Sequence, residues 1–390
     1  MPGSDDTKSG ALRFSSLEAY GWLAGSFQLV PRSKMSSSAT PVPSTTPVQT
    51  MDSPLVPDSE STHSSEGGAH YDTRSLTASI TDYPIHWGRR YHRYKEGAYL
   101  FPNDENEQVR LDEQHEILNR LHGRLFFAPL DPDSVLTVLD IGTGTGIWPI
   151  QLADSNALPN ATITGVDLSA VQPDDVPSNV YFEIQDCADE DWVREPGSVD
   201  YCHVRFMAGS LTSYEDLIRT SRKYLRPGAG WLECHEIHPQ PVSDDNTIPE
   251  GWAMRAWEEH LDYAATKALK PARPVRVAAD IKTWMEEAGY VDIHEHISKI
   301  PLGPWPRDPR LKNIGGWWLA NWLAGLQGFT YKLFGADGLR WSRDEIEVHL
   351  ADVRKAALTK SVHSYQRHYV VYGRRPSKEE EQVLSLYGHG

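Results

Sequence analysis

The chain has 390 residues and carries 54 acidic against 38 basic side chains, a formal net charge of −16. This length is enough for a sizeable core in one large or two modest domains. An acidic surface repels phosphate backbones, and no run of lysine or arginine offsets it, so the composition argues against direct nucleic-acid binding. The three cysteines, Cys187, Cys202 and Cys234, are too few for a disulfide framework and predict a cytoplasmic protein, with the nucleus as the alternative compartment.

Residues 1–80 are predicted to form a disordered tail. Residues 36–68 are rich in Ser, Thr and Pro and hold almost no large apolar side chain, so burial cannot offset their chain entropy. Residues 29–33 (LVPRS) are typical of a thrombin-cleavage linker, which leaves open whether residues 1–34 are native. A tail of this composition also suits a docking arm for a protein partner.

Order is expected to begin near Tyr83, and residues 81–130 are predicted to form an N-terminal cap. The block up to Asp104 is rich in aromatic and turn residues. Glu105 then opens a helix whose first turn is acidic, as the helix dipole favours. The cap either covers one end of a sheet or closes over a bound cofactor, and the two roles are compatible.

The central motif is a glycine loop between a buried strand and a helix. Residues 138–141 are a short apolar run, after which Gly142, Gly144 and Gly146 alternate with threonines. A loop without Cβ atoms lets a ligand approach the backbone near a helix N-terminus. The motif therefore predicts a cofactor site, with a purely structural strand–turn–helix as the alternative.

Two acids and one absent glycine indicate which cofactor the loop binds. Ile147 stands where a dinucleotide fingerprint needs its third glycine, and Asp140 before the loop would repel a pyrophosphate but suits a cationic amino-acid group. A second strand, residues 162–167, ends in Asp167 about 20 residues further on, where ribose hydroxyls are gripped. A cofactor with a ribose and a positive amino-acid end but no phosphate is S-adenosylmethionine. We therefore expect S-adenosylmethionine to bind and NAD not to bind.

Three further strands are predicted downstream, at residues 180–187, 199–206 and 231–237. In a parallel sheet with helices on both faces, the ligand lies across the carboxyl ends of the strands. The polar residues expected at or near those ends are Asp140, Asp167, Asp186, His203 and His235.

His203, His235 and Glu236 are the candidate catalytic bases, because each falls near a strand end and imidazole titrates near neutral pH. A hydrogen-bonded structural role is the alternative for all three. Cys202-His203 and Cys234-His235 suggest a zinc site, but adjacent residues on a strand point to opposite faces, so no metal site is predicted.

The C-terminal third contains a long insertion between two predicted strands, residues 290–297 and 365–372. A hairpin would need only a few residues, whereas this insertion covers about residues 301–364. Residues 313–331 carry no charge and are long enough to span a membrane, but their glycines and polar side chains predict a buried or lid helix instead.

Clustered tryptophans mark this insertion. Aromatic residues at helical spacing are usually core, and the alternative is a pocket for a flat, apolar substrate. We expect at least one of these tryptophans to line a cavity that opens onto the glycine loop. The four candidates are Trp305, Trp317, Trp318 and Trp322.

With these motifs in order, the chain resembles the class I S-adenosylmethionine-dependent methyltransferases, and within them the fungal LaeA-like group. The resemblance covers about residues 83–376. It rests on residues 99–104 (YLFPND), 107–112 (EQVRLD), 139–148 (LDIGTGTGIW), 165–168 (GVDL), 225–228 (LRPG) and 372–376 (YGRRP). Gly142-Thr143-Gly144 replaces the Gly-Cys-Gly of LaeA, which favours a paralogue over the regulator itself.

The resemblance implies a Rossmann-like α/β fold with a seven-stranded, mostly parallel sheet whose last strand is antiparallel. It places the methyltransferase domain at residues 131–390, with the helical cap and insertion added to it. In such a site Asp140 and the glycine loop would hold the methionine end, Asp167 the ribose hydroxyls and Asp186 the adenine amino group. The complete predicted cofactor set is Tyr99, Asp140, Gly142, Thr143, Gly144, Gly146, Asp167, Leu168, Asp186 and Cys187.

Two functions stay open because the group includes both natural-product methyltransferases and nuclear regulators. The first is methylation of a small-molecule secondary metabolite, apolar or aromatic in character. The second is a cofactor-binding regulator of secondary metabolism that acts through protein partners in the nucleus. The tryptophan-rich insertion favours the first, and the tail favours the second.

Overall fold

A computed structural model describes residues 83–92 and 100–387 of the chain. The predicted tail, residues 1–80, and the predicted cofactor residue Tyr99 lie outside the described residues. Strands β1 (Ile85–His86) and β2 (Arg89–Arg90) form a small antiparallel hairpin at the start of the described part.

The centre of the fold is a seven-stranded sheet with the spatial order β5-β4-β3-β6-β7-β9-β8. Its strands are β3 (Thr137–Ile141), β4 (Thr162–Asp167), β5 (Val180–Ile184), β6 (Tyr201–Arg205), β7 (Trp231–Val242), β8 (Val291–Pro301) and β9 (Tyr365–Arg374). The first five are parallel, and β9 runs antiparallel to both β7 and β8. The predicted seven-stranded sheet with an antiparallel last strand is confirmed.

Strand β3 lies at the point where the strand order reverses, with β4 on one side and β6 on the other. Val138, Leu139 and Ile141 are at most 1% exposed, because β3 is covered by helices on both faces of the sheet. At such a reversal the connections leave β3 in opposite directions and open a crevice at the carboxyl ends of the strands. The glycine loop leaves β3 at this crevice.

Eight α-helices are present in the described part of the chain. They are α1 (Glu105–His122), α2 (Ile147–Ser155), α3 (Tyr214–Tyr224), α4 (Ala253–Tyr263), α5 (Ile281–Glu287), α6 (Pro309–Phe334), α7 (Arg343–Ala357) and α8 (Lys378–Tyr387). A π-helical turn, Ala264–Ala268, continues α4.

Helix starts follow the capping signals of the sequence. The Ser213 side chain accepts the backbone N–H of Asp216 at the start of α3. At α7 the predicted capping box is complete, because Ser342 caps the N–H of Glu345 and the Glu345 carboxylate accepts the N–H of Ser342 at 2.8 Å. Asp104 caps α1 in the same way.

The insertion between β8 and β9 consists of α6 and α7. Helix α6 packs against α1 and α7, and its buried side belongs to a hydrophobic core that includes Trp318, Trp322 and Leu326. Asn321 of α6 donates to the backbone carbonyl of Arg110 in α1 (2.6 Å) and accepts from the Arg110 guanidinium (3.0 Å). In the described part of the chain, no helix combines the length and the apolar character needed to cross a membrane.

Candidate cofactor and acceptor site

The glycine loop has a backbone that side chains would disrupt. Gly142 has a φ of 68°, and a Cβ there would lie 2.2 Å from the sulfur of Met207. The N–H groups of Gly142 and Thr143 both donate to the carbonyl of Val166 (2.9 and 3.0 Å), which ties the loop to the end of β4. The ligand-facing side of the loop is therefore bare backbone held in one conformation.

A cavity of about 290 Å³ lies over this loop, at the carboxyl ends of the parallel strands. It is lined by the predicted residues Gly142, Thr143, Gly144, Asp167, Leu168, Asp186 and Cys187. The hydroxyl of Thr143 is buried against Gly165 and has no hydrogen-bond partner among the described residues. The structure thus brings these seven predicted residues together in one cavity.

Asp167 has acceptor capacity left for a ligand. Its Oδ2 accepts the N–H of Gly144 and its Oδ1 accepts the N–H of Ser169, both at 2.9 Å. A carboxylate has about four acceptor sites, so each oxygen can accept a further hydroxyl. Burial raises the pKa of Asp167, and the two backbone donors partly counteract this rise. These features fit the hydroxyls of a ribose.

Asp186 and Cys187 form the other end of the cavity, just beyond β5. One Asp186 oxygen accepts the N–H of Ala188 at 2.9 Å. Burial raises the pKa of the Cys187 thiol, so this cysteine is an apolar wall rather than a nucleophile. A hydrogen-bond acceptor beside an apolar wall fits a planar nucleobase with an exocyclic amino group.

Asp140 does not line this cavity, contrary to its predicted contact with the methionine end. Its carboxylate is 3% exposed and accepts from Nδ1 of His203 at 2.7 Å. Asp140 and His203 are directly paired in the β3–β6 register, two residues before Gly142. Both side chains therefore lie one layer below the strand ends, where the His203 ring also stacks on Trp148 with centroids 3.9 Å apart.

Gly146 does not line the cavity either. It begins helix α2 with a φ of 77°, and a Cβ there would lie 2.4 Å from the ring of Phe182. The absence of a Cβ at Gly146 lets the helix start against a neighbouring strand, and the predicted contact of Gly146 with the cofactor stays a prediction.

The two candidate bases His203 and His235 line neither of the two cavities of the site. The Nε2 atom of His235 lies 2.6 Å from the carboxylate of Glu233, which also accepts the N–H groups of Phe127 and Ala128. Burial, followed by the charge of His203, lowers the pKa of His235 well below its usual value. Both imidazoles are enclosed in this fold, which favours the structural alternative for them.

Glu236 differs from the two histidines because it lines the second cavity. Its carboxylate accepts the N–H groups of Met207 (2.6 Å) and Ala208 (3.1 Å). Burial raises the pKa of Glu236 to about 8, although both backbone donors lower it. A carboxyl group with this pKa exchanges protons near neutral pH.

The second cavity, of about 170 Å³, borders the first and shares Leu111, Gln114 and Phe206 with it. Its aromatic lining comprises Phe101, Phe206, Trp257, Trp318, Trp322 and Phe329. Two of the four candidate tryptophans of the insertion therefore face the cavity next to the glycine loop.

The other two candidate tryptophans lie elsewhere. Trp305 donates to the carbonyl of Ser364 at 2.9 Å, and Trp317 packs under the guanidinium of Arg120. Neither lines the first or the second cavity.

Sequence reasoning missed Arg205 and His115, which both line the first cavity. Arg205 is the last residue of β6, so the rule that singled out His203 two residues earlier would also have found it. His115 lies in α1, and nothing in its sequence context indicates that α1 borders the strand ends.

In the described part of the chain, no group of three or more His, Cys, Asp or Glu side chains is arranged to hold a metal ion. The residues that are present fit an adenosyl sulfonium cofactor: a bare glycine loop and an acid with spare acceptors. A mostly parallel seven-stranded sheet with an antiparallel strand and this site at its reversal point fits the class I S-adenosylmethionine-dependent methyltransferases.

Comparison with known proteins gives the family. A family profile described as a methyltransferase domain matches residues 110–295. The methyltransferase pytC of Aspergillus terreus is 40% identical over 304 residues, which cover 77% of this chain and 91% of that protein. The chain therefore belongs to the S-adenosylmethionine-dependent methyltransferase family that contains pytC.

The same family includes regulators. The secondary metabolism regulator LAE1 of Cochliobolus heterostrophus is 32% identical to this chain, and the alignment covers 75% of this chain and 94% of LAE1. The protein-methionine methyltransferase laeA of Emericella nidulans is 32% identical, with 74% of this chain and 75% of that protein covered. A solved S-adenosylmethionine complex, phosphoethanolamine N-methyltransferase 2 of Haemonchus contortus, aligns with a TM-score of 0.39 at 17% identity, over 72% of this chain and 55% of that one.

Proposed function

We propose that this methyltransferase methylates an apolar, aromatic small molecule of secondary metabolism. The observation that carries the proposal is the second cavity, whose walls include six aromatic rings and which borders the cofactor cavity. Aromatic walls with a few convergent polar groups are typical of small-molecule sites. The similarity to pytC supports a methyltransferase rather than a binding protein without activity.

Cofactor contacts follow from the cavity lining. We assign the ribose hydroxyls to Asp167 and the adenine amino group to Asp186, with Leu168 and Cys187 against the faces of the base. Thr143 and the bare amides of the glycine loop lie against the middle of the cofactor. Asp140 acts indirectly, because it orients His203 beneath the strand ends.

S-adenosylmethionine supplies a methyl group on a positively charged sulfur, which departs with the bonding electron pair as the acceptor bonds to the methyl carbon. The chain positions the acceptor in line with that bond, and the aromatic walls exclude water. Glu236 is the proposed base, since it lines the acceptor cavity and its ionised form, which becomes appreciable as pH approaches the pKa of about 8, can take the acceptor's proton.

A second candidate function is regulation through protein partners. The similarity to LAE1 and laeA favours it, and the tail suits a docking arm. This function would place the chain in the nucleus, whereas a tailoring enzyme is expected in the cytoplasm.

Incubation with methyl-labelled S-adenosylmethionine and an extract of the host, followed by mass spectrometry, separates the two functions. We expect the label in an apolar small molecule. Label in protein alone would contradict the proposal and support the regulatory function.

Trp318→Ala tests whether the aromatic cavity holds the acceptor. We expect it to lower methyl transfer about 10-fold or more while S-adenosylmethionine binding stays within about 2-fold, because Trp318 lines only the second cavity. Trp317→Ala is the matched control, since Trp317 is the adjacent residue on the same helix but contacts Arg120 instead of the cavity. Equal effects of the two variants would contradict the assignment.

A further inference from the structure

The ends of four adjacent strands trace the path of the cofactor. In the order β5-β4-β3-β6, Asp186 follows the first strand, Asp167 ends the second, Gly142 follows the third and Arg205 ends the fourth. Neighbouring strands are about 4.8 Å apart, so three steps span about 14 Å. A cofactor with adenine at β5 and ribose at β4 therefore extends its amino-acid chain over β3 towards β6.

Arg205 lies at the carboxyl ends of the parallel strands, which His203 does not reach. The pairing of Asp140 with His203 brings the residue two positions later on β6, Arg205, level with Gly142. Residues two apart on a strand share a face, so Arg205 lies directly above His203 on the cavity side. Arg205 lines the same cavity as Gly142 and Asp167.

The guanidinium of Arg205 forms no ion pair with a carboxylate of the described residues. Its Nη2 donates to Nδ1 of His115 at 3.0 Å. His115 is neutral, because burial lowers its pKa to about 3, and its Nε2 lies 2.5 Å from the side-chain oxygen of Gln151. Burial lowers the pKa of Arg205 to about 10, and the charge of Asp140 partly opposes this shift. Arg205 is half-buried, and withdrawing a cation from water costs free energy unless a ligand accepts hydrogen bonds from its remaining N–H donors.

Arg273, another arginine of the cavity wall, belongs to the opposite end. Its guanidinium donates to the carbonyl of Ser210, and the charge of Asp186 acts on it. Arg273 is therefore influenced by the acid at the adenine end, whereas Arg205 is the arginine of the described cavity wall that lies at the amino-acid end.

We propose that Arg205 binds the α-carboxylate of the cofactor's methionine portion. A planar guanidinium matches a carboxylate with two parallel N–H donors. Phe206 is next in the chain and lines both cavities, so a carboxylate held at Arg205 would place the methionine portion beside the border with the acceptor cavity. This assignment rests on S-adenosylmethionine being the cofactor.

Calorimetry with S-adenosylmethionine and its decarboxylated analogue tests the assignment by binding alone. We expect wild-type protein to bind the analogue about 10- to 100-fold more weakly, the loss of a charge-assisted pair. Arg205→Met should bind both ligands with the same affinity, because the partner of the carboxylate is gone. Arg205→Lys should keep part of the preference.

Arg273→Met is the matched control from the same cavity. It should weaken both ligands in parallel and keep the wild-type ratio of affinities. Equal binding of the two ligands by wild-type protein would overturn the assignment even if a variant fails to fold. A wild-type ratio preserved in Arg205→Met would also overturn it, while binding of neither ligand by wild-type protein would contradict the cofactor itself.

Discussion

Asp167 joins the backbone of the glycine loop to the cofactor cavity, since the same carboxylate accepts the N–H of Gly144 and faces the cavity. Asp167→Ala removes an acceptor from the ligand and from the loop together. We expect S-adenosylmethionine affinity to fall by about 1–3 kcal/mol, about 10- to 100-fold, in a calorimetric titration. Asp174→Ala, an exposed acid after the same strand, is the control. Unchanged affinity in Asp167→Ala would contradict the assignment of the ribose.

Glu236 makes stability depend on pH in a definite direction. Burial raises its pKa from 4.5 to about 8, so the folded chain keeps a proton that the unfolded chain releases above pH 4.5. The stabilisation that this proton contributes to the folded state is fully present below pH 4.5 and is lost as pH rises to about 8. Glu236→Gln keeps an acceptor without titrating, so urea unfolding should show a smaller loss of stability between pH 5 and pH 8 than in wild type.

Exposed Glu250 provides the comparison for that experiment. Glu250→Gln should retain the wild-type dependence of unfolding free energy on pH. If Glu236→Gln retained it as well, Glu236 would not hold its proton in the folded state.

Strand ends are predictable from sequence, but the layer in which a side chain lies is not. Asp167 and Asp186 follow apolar runs and do line the cavity. Asp140 and His203 satisfy the same rule, yet their pairing in the β3–β6 register puts them one layer deeper. Register between strands far apart in sequence decides this, and periodicity within one strand carries no information about it.

At the scale of elements, α1 and α6 are joined by a buried polar contact. Arg110 donates to Asn321 and accepts from it through its backbone carbonyl, and Glu107 also accepts from the guanidinium at 2.7 Å. Asn321→Ala should lower the free energy of unfolding by about 1–3 kcal/mol, because it leaves buried donors and acceptors unpaired. The change is measured by urea unfolding.

Asn313 on the exposed side of α6 is the control for this contact. Asn313→Ala should change stability by no more than about 0.5 kcal/mol. Equal losses in the two variants would show that the buried contact between α1 and α6 contributes nothing specific.

Helix starts and the insertion could be predicted because their signals are local. Ser213 and Ser342 cap the helices that follow them, and the uncharged stretch does form a buried helix, α6. Its partner α1 could not be identified, since the contact of Arg110 with Asn321 joins residues 211 positions apart. Only the assembled fold shows that the two helices enclose the acceptor cavity.

At the scale of the whole molecule, buried neutral histidines make the fold sensitive to acid. Burial lowers the pKa of His115 to about 3 and of His122 to about 4, and those of His235 and His368 fall well below the usual range. As pH falls below about 6.5, these histidines take up protons in the unfolded chain but not in the folded chain. The stabilisation that the neutral histidines contribute is therefore fully present above pH 6.5 and is lost as pH falls towards 4.

His122→Gln tests this acid sensitivity, because glutamine preserves a polar partner for His368, which lies 3.0 Å from His122. We expect the loss of thermal stability between pH 6.5 and pH 4 to be smaller than in wild type. His294→Gln, at an exposed position of β8, should leave the loss unchanged. A loss in His122→Gln as large as in wild type would contradict the explanation.

The central claim is that one cofactor path across four strand ends delivers its methyl group to the aromatic cavity. A crystal structure with S-adenosylhomocysteine tests this directly. We expect adenine at Asp186, ribose at Asp167, the carboxylate at Arg205, and the sulfur facing Phe206 where the two cavities meet. A sulfur directed away from Trp318 and Trp322, or a cofactor bound outside the glycine loop, would contradict the account.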